Sequence, residues 1–406
     1  MNSSGPPPAP PAPPGRVEPT PPSQRVALLD VLRGFALLGI LLVNMESFAV
    51  PIDEGWDAAR FSSTADEVAR WVIVAFAAGK FYTLFSLLFG YGLALQLQRA
   101  TGRGDDAHAR YVRRLVGLIV LGVLHAVFLY FGDILIAYGL LGFVLILLRD
   151  RPDRVVLNWA IGVWLAGLAM VALLAAASAA AGDSDLGRDI SAVQAAYADG
   201  NFWEVVSQRL EDLAVAIPSI VVLQAPTAFA MFALGMVLGR HRLLSRAHEL
   251  RPGLLRALAI LAPVGVIGGA IAASLDPFGD GGLSGLGLVL LFATAPALTF
   301  AYVAAIALIP ERVLRAPAAW ILRAPGRMSL SVYLLESVVA TFIFTSLGLG
   351  LFGDVGPAEG LGLAVLIWLG LALFSMLWLG VFRFGPFEWL LRSFSYLHLQ
   401  PMRPRR

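Results

Sequence analysis

The sequence predicts an all-α polytopic integral membrane bundle of about ten transmembrane helices, on three observations. The 406-residue chain is 58% hydrophobic and only 14% charged, with a mean hydropathy of +0.75, more apolar surface than one soluble core can hide. Its apolar stretches repeatedly reach the roughly 20 residues that a bilayer-crossing helix needs. Its arginines gather in alternate connections, as the positive-inside rule requires of a chain threading a membrane.

Apolar stretches cover residues 26–48, 67–97, 112–130, 133–148, 155–181, 216–239, 254–275, 284–309, 328–348 and 360–382. Before the first lies a Pro-rich arm, residues 1–24, too poor in apolar residues to fold and partly polyproline in character. The first stretch reads as a retained helix, because its apolar run exceeds a leader's and holds Asp30, Arg33 and Asn44. The second is long enough to tilt or to break near Gly79 and Lys80, and the fourth is short. Residues 190–212 are too polar to span and read as an external amphipathic helix. Residues 386–398 open on Pro386 and suit an interfacial helix anchored by Trp389, with Glu388 and Arg392 as a surface pair. The chain thus divides into the arm, an N-terminal bundle over 25–239 and a C-terminal membrane region over 240–406.

Direction follows from charge. Arg16 and Arg25 precede the first helix, and the even-numbered connections hold Arg99, Arg103, Arg110, Arg113 and Arg114, then Arg149, Arg151 and Arg154, then Arg240 to Arg256, then Arg312 to Arg327. The odd ones are mainly acidic, from Asp53 and Asp57 through Asp183, Asp185 and Asp189 to Asp280 and Asp354, with Arg60, Arg70, Arg188 and Arg209 as exceptions. Both termini are therefore expected on the cytoplasmic side, the bilayer being the partner of most of the surface. Basic loops so distributed do not argue for nucleic acid. The chain has no cysteine, which excludes thiolate catalysis and disulfides. No metal or cofactor is expected, since His108, His241, His248 and His398 have no ligand spacing and no phosphate-binding or zinc motif occurs.

Lys80 is the single lysine against 29 arginines, and it lies within WVIVAFAAGKFYTLFSLLFGYGL. An amine at that depth implies a buried partner or a wet cavity, unless it snorkels to one face. On helix one, Asp30 and Arg33 are three apart and can pair, either at the membrane edge or in a site. Asn44 follows eleven residues after Arg33 on nearly the same face, about 16 Å along the helix axis.

Five ordered blocks carry a resemblance: LDVLRGFALLGILLVN, GKFYTLFSLLFGYGLAL, RRLVGLIVLGVLHAVFLYFGDILIAYGLLG, GRMSLSVYLLES and GPFEWLLRSFSY. Together they resemble the YeiB-like bacterial inner-membrane proteins built around domain of unknown function 418, which implies a multi-pass, transport-associated membrane protein. The first block is also similar to the opening of transmembrane acyltransferases, both the acyltransferase-3 enzymes and the lysosomal heparan-glucosaminide acetyltransferase. Acyltransferase-3 enzymes pair an Arg with a His eleven residues on, whereas this chain has Arg33 and Asn44. An amide cannot act as general base, so the resemblance moves that role elsewhere.

His125, the one histidine inside a span, is the candidate base, with Asp133 eight residues on to orient it; the alternative is a packing histidine. Tyr82 and Ser86 on helix two, with Arg327, Ser329, Tyr333 and Glu336 around helix nine, complete the candidate cavity, while Ser337 reads as a serine knitting helices. Two functions remain open. One is an acyltransferase-like enzyme using an acyl-CoA donor held by Arg33, Arg113, Arg114 and Arg327, with an envelope acceptor. The other is a transporter or permease whose Asp30, Arg33, Lys80 and Glu336 share an interior cavity as a charge relay.

Overall fold

The computed structural model describes residues 26–55, 61–100, 107–181, 188–279 and 281–403. The arm 1–24, Arg16, Arg25, Arg60, Arg103, Asp57, Asp183, Asp185 and Asp280 lie outside the described residues. The elements are α1 (Ala27–Ala49), α2 (Thr64–Phe76), α3 (Lys80–Ala100), α4 (Ala107–Phe128), α5 (Leu135–Leu147), α6 (Asp153–Ala181), α7 (Ile190–Ala198) and α8 (Phe202–Ser219). They continue as α9 (Ala225–Arg240), α10 (Arg251–Ser274), α11 (Ser284–Ala307), α12 (Glu311–Leu314), α13 (Trp320–Arg327), α14 (Ser329–Phe344), α15 (Pro357–Val381) and α16 (Pro386–Tyr396). Among the described residues there is no strand.

All ten apolar stretches are helical, but among the described residues eight helical spans, with α2–α3 and α8–α9 each counted as one, have the length and composition to cross a bilayer; α13 and α14, bent by 80°, would make a ninth if counted as one span. Helix α5 has 13 residues. At 1.5 Å per residue it reaches about 20 Å, short of the roughly 30 Å of hydrocarbon. The second span does break where its length suggests. Residues 77–79 separate α2 from α3, and Gly79 turns the chain with a φ of +79° that a residue bearing a Cβ rarely adopts.

The lipid-facing surface is legible in burial. Only 11% of the apolar window of α6 and 17% of that of α10 are covered by the rest of the chain. Trp159, Leu165 and Leu173 on α6, and Ile260, Val264 and Ile267 on α10, are exposed. Such continuous apolar faces are stable in acyl chains and not in water.

Helix α1 is central, packed by α3, α13, α14 and α15. Its crossing with α13 is backbone on backbone: Gly34 lies against the carbonyl of Leu322, and Gly326 against the carbonyl of Asp30. Small residues let membrane helices meet this closely and gain dispersion energy where no hydrophobic effect drives association.

Two expected peripheral helices turn out differently. Residues 190–212 form two helices, α7 and the start of α8, because Asn201 interrupts the chain and caps α8 with a reciprocal Glu204 bond. Helix α8 then runs through a π-helical segment, Ile220–Gln224, into α9. In α16, Glu388 is no surface residue paired with Arg392. Its carboxylate accepts hydrogen bonds from the amides of Leu330 (2.7 Å) and Ser331 (3.1 Å) and from the Ser331 hydroxyl. It thereby satisfies the orphan amides at the start of α14. Burial pushes this carboxyl above the usual carboxylate range, and the bonds from Ser331 pull in the opposite direction. Arg392 instead lies over the ring of Phe384.

Candidate functional site

The loop between α4 and α5 folds back on the end of α4. There the Nδ1 of His125 lies 2.7 Å from Oδ2 of Asp133, and its Nε2 lies 2.8 Å from Oγ of Ser337 on α14. All three side chains are buried. The other oxygen of Asp133 accepts from the amide of Ile136 at 2.8 Å, capping the first turn of α5. An ionised carboxylate only accepts, so Asp133 assigns the proton to Nδ1 and leaves Nε2 to accept from Ser337. This is the connectivity of a serine–histidine–aspartate relay. Tyr333 closes one side, its ring centroid 5.0 Å from that of His125 and its hydroxyl accepting from the amide of Ile134. Tyr130 stands 6.1 Å away.

Asn44 lies half-buried on α1, one turn before Phe48, whose ring meets Tyr130 at 4.3 Å. Ser337 joins two helices, as expected of it: its hydroxyl reaches the imidazole from 212 positions away and also lies 3.5 Å from the carbonyl of Tyr333 on its own helix.

The charges expected to share one cavity do not pair across it. Lys80, 0% exposed, donates from Nζ to the carbonyl of Val74 at 2.8 Å, so it does not snorkel, and among the described residues it meets no carboxylate within 4 Å. The helix break explains this, because the last turn of α2 leaves carbonyls without intrahelical partners, and Lys80 caps one of them. Tyr302 caps another, at Phe76. Asp30 and Arg33 face one another at 3.5 Å. Glu336 is buried, and its Oε1 has no hydrogen-bond partner. Tyr82 offers its carbonyl to Ser86 and to Tyr138, which ties α3 to α5. Ser329 opens α14 right after the bend.

At the arginine-rich end, Arg114 lies over the ring of Phe89 at 5.8 Å and feels the charges of Arg33 and Glu388. Arg113 donates to the carbonyl of Ser395 at 2.9 Å, and Arg327 lies over Trp320. Of the four expected donor-binding arginines, Arg33 and Arg114 lie within electrostatic range of one another, while Arg113 holds α16 in place.

If Lys80 is a helix cap, Lys80→Met should lower the thermal midpoint, by about 1–3 kcal/mol of stability for the orphaned carbonyl, yet leave activity per folded molecule unchanged. Turnover lost at normal stability would assign the amine to a charge relay instead.

With this geometry in hand, the relatives become informative. The chain is 33% identical over 405 residues, 95% of its length and 98% of the relative's, to the uncharacterized protein YxaH of Bacillus subtilis strain 168. It is 30% identical over 387 residues, 91% of its length and 96% of the relative's, to the uncharacterized protein YeiB of Escherichia coli strain K12. Residues 238–398 match the family described as protein of unknown function, DUF418. The chain belongs to the YeiB-like DUF418 family.

Residues 25–189 match a second description, the catalytic region of heparan-alpha-glucosaminide N-acetyltransferase. The relay of this DUF418 protein straddles the two matches. His125 and Asp133 fall in the acetyltransferase-like part, and Ser337 falls in the DUF418 part.

Proposed function

We propose that this DUF418 protein is an acyltransferase-like enzyme of the bacterial cytoplasmic membrane, with both termini in the cytoplasm. The observation that carries the reading is the buried Ser337–His125–Asp133 relay, which holds an imidazole between a carboxylate at 2.7 Å and a hydroxyl at 2.8 Å. The likeness of residues 25–189 to an N-acetyltransferase catalytic region supports it. Arg33 and Arg114 at the opposite, arginine-rich end offer a locus for an anionic donor such as acyl-CoA.

In this mechanism Nε2 of His125 takes the proton of the attacking hydroxyl as that oxygen bonds to the acyl carbonyl carbon. The donor's carbon–sulfur bond breaks, and the departing thiolate takes the proton back from the imidazolium. Asp133 stabilises the imidazolium without accepting its proton. The competing reading, a transporter or permease, is favoured by one observation, the buried Glu336 with its unpartnered oxygen.

The test uses purified protein in lipid nanodiscs with radiolabelled acetyl-CoA and an envelope extract. The expected result is release of free thiol together with label in an extract component. No thiol release and no binding of the donor would sink the enzyme reading.

A further inference from the structure

His125, Asp133 and Ser337 are at most 5% exposed, so a molecule reaches the imidazole only if part of the chain moves. Directly beyond the relay, at the acidic end, lie α7 and α8. Tyr197 of α7 and Arg209 of α8 wall a cavity together with Leu129 and Thr341, which follow His125 and Ser337 by one helical turn. That cavity measures about 20 Å³, space for a single water. The two helices are therefore a closed roof over the relay.

The roof is fastened at its rim by polar contacts. The amide of Ser346, just past α14, donates to the carbonyl of Tyr197 at 2.8 Å, and its hydroxyl donates to that of Gly200. Arg209 donates to the carbonyl of Phe128 at 2.8 Å. Arg188, two residues before α7, meets Asp53 of the loop after α1 at 2.7 Å and also meets Asp212 of α8. It thus ties both roof helices to the end of α1. At the far end, α8 passes into the π-helical segment Ile220–Gln224, none of whose residues is buried. Pro218 lies just before that segment and Pro226 just after it. Each proline removes an amide from the helical ladder, and a π turn is where a helix bends. The outward side of the roof is exposed at Ile190, Phe202, Trp203 and Leu210. Segments covered on one side only are the ones that open below the global unfolding free energy.

We propose that α7 and α8 form a lid over the relay, hinged at Ile220–Gln224 and latched by Arg188 between Asp53 and Asp212. Opening at the Arg188 end lifts Tyr197 and Arg209 from the turn beyond His125 and admits a molecule from the acidic end. That this molecule is an acyl acceptor rests on the reading above; the motion does not.

The experiment measures access rather than turnover, so it stands or falls separately from the enzyme reading. The chain has no cysteine, and a single introduced thiol therefore reports on one place. Ser337→Cys protein in phosphatidylcholine nanodiscs is treated with 2-aminoethyl methanethiosulfonate, and the labelling rate is read by mass spectrometry. The same is done with Arg188→Gln or Asp53→Asn added. Releasing the latch is expected to speed labelling about tenfold or more, because the bonds removed join two charged groups. Equal rates in the three proteins, no labelling included, overturn the proposal. Hydrogen exchange in the same discs gives the second arm. Amides of α7 and α8 are expected to exchange as one unit, faster than those of α4 and α14, and faster again in Arg188→Gln while α10 and α11 stay unchanged. Roof helices that exchange no faster than α4 and α14 refute the hinge. A rise in Arg188→Gln that spreads to α10 and α11 makes Arg188 a general stabiliser and refutes the latch.

Discussion

His125→Gln is expected to lower turnover by about 10²–10⁴-fold, the range that positioned acid–base groups supply, while membrane abundance stays near normal. Glutamine preserves much of the volume and can still bond one neighbour, so a packing histidine would tolerate it with a modest loss of stability. Asp133→Asn separates the roles further. The amide keeps an oxygen for the Ile136 amide, so α5 stays capped at little cost, because Asn and Asp cap comparably. Its NH₂ can face Nδ1 instead, which drives the imidazole proton to Nε2 and removes the base. A drop comparable to that of His125→Gln is therefore expected. Ser337→Ala then distinguishes a nucleophile from a placeholder for the acceptor's hydroxyl. Loss equal to that of His125→Gln makes Ser337 the attacking group, and near-normal turnover makes it the placeholder. If His125→Gln kept wild-type turnover, the relay would be a structural network.

Much of this arrangement was written locally and some was not. The spans follow from uninterrupted apolar runs, and the break near Lys80 follows from a stretch too long for one bilayer crossing beside a glycine. The pairing of His125 with Asp133 was legible because eight residues around a helix end can return on themselves. Three features left no such trace. Ser337 meets His125 only because the fold brings α14 beside the end of α4, a juxtaposition that local sequence does not signal. Lys80 finds a carbonyl rather than a carboxylate because a broken helix supplies unpaired acceptors, an option that counting charges does not reveal. Glu388 reads as a surface charge at four-residue spacing from Arg392, yet the 80° bend after α13 exposes the amides at the start of α14, and the carboxylate is drawn to them.

Gly326→Ala should be among the most destabilising single-methyl additions in the chain. At this position the added carbon would fall on the carbonyl of Asp30, and the reciprocal contact of Gly34 with the carbonyl of Leu322 prevents α1 from yielding without separating from α13. Both surfaces are backbone, so no rotamer change relieves the overlap. Overpacking of this kind costs about 1–3 kcal/mol, and more where the backbone itself must move. The control is the same substitution on α15. Gly362 and Gly370 have open space where a Cβ would stand, so alanine there should hold or raise the melting temperature through helix propensity, worth up to about 1 kcal/mol. Activity should follow the same order, because parting α1 from α13 shifts Arg33 at one end and, through the α13–α14 bend, Ser337 at the other. Thermal melts of the three alanine variants in detergent decide the matter. If Gly326→Ala melted together with Gly362→Ala, the α1–α13 contact would not be the close crossing that sets the site, and the coupling of its two ends would have to be sought elsewhere.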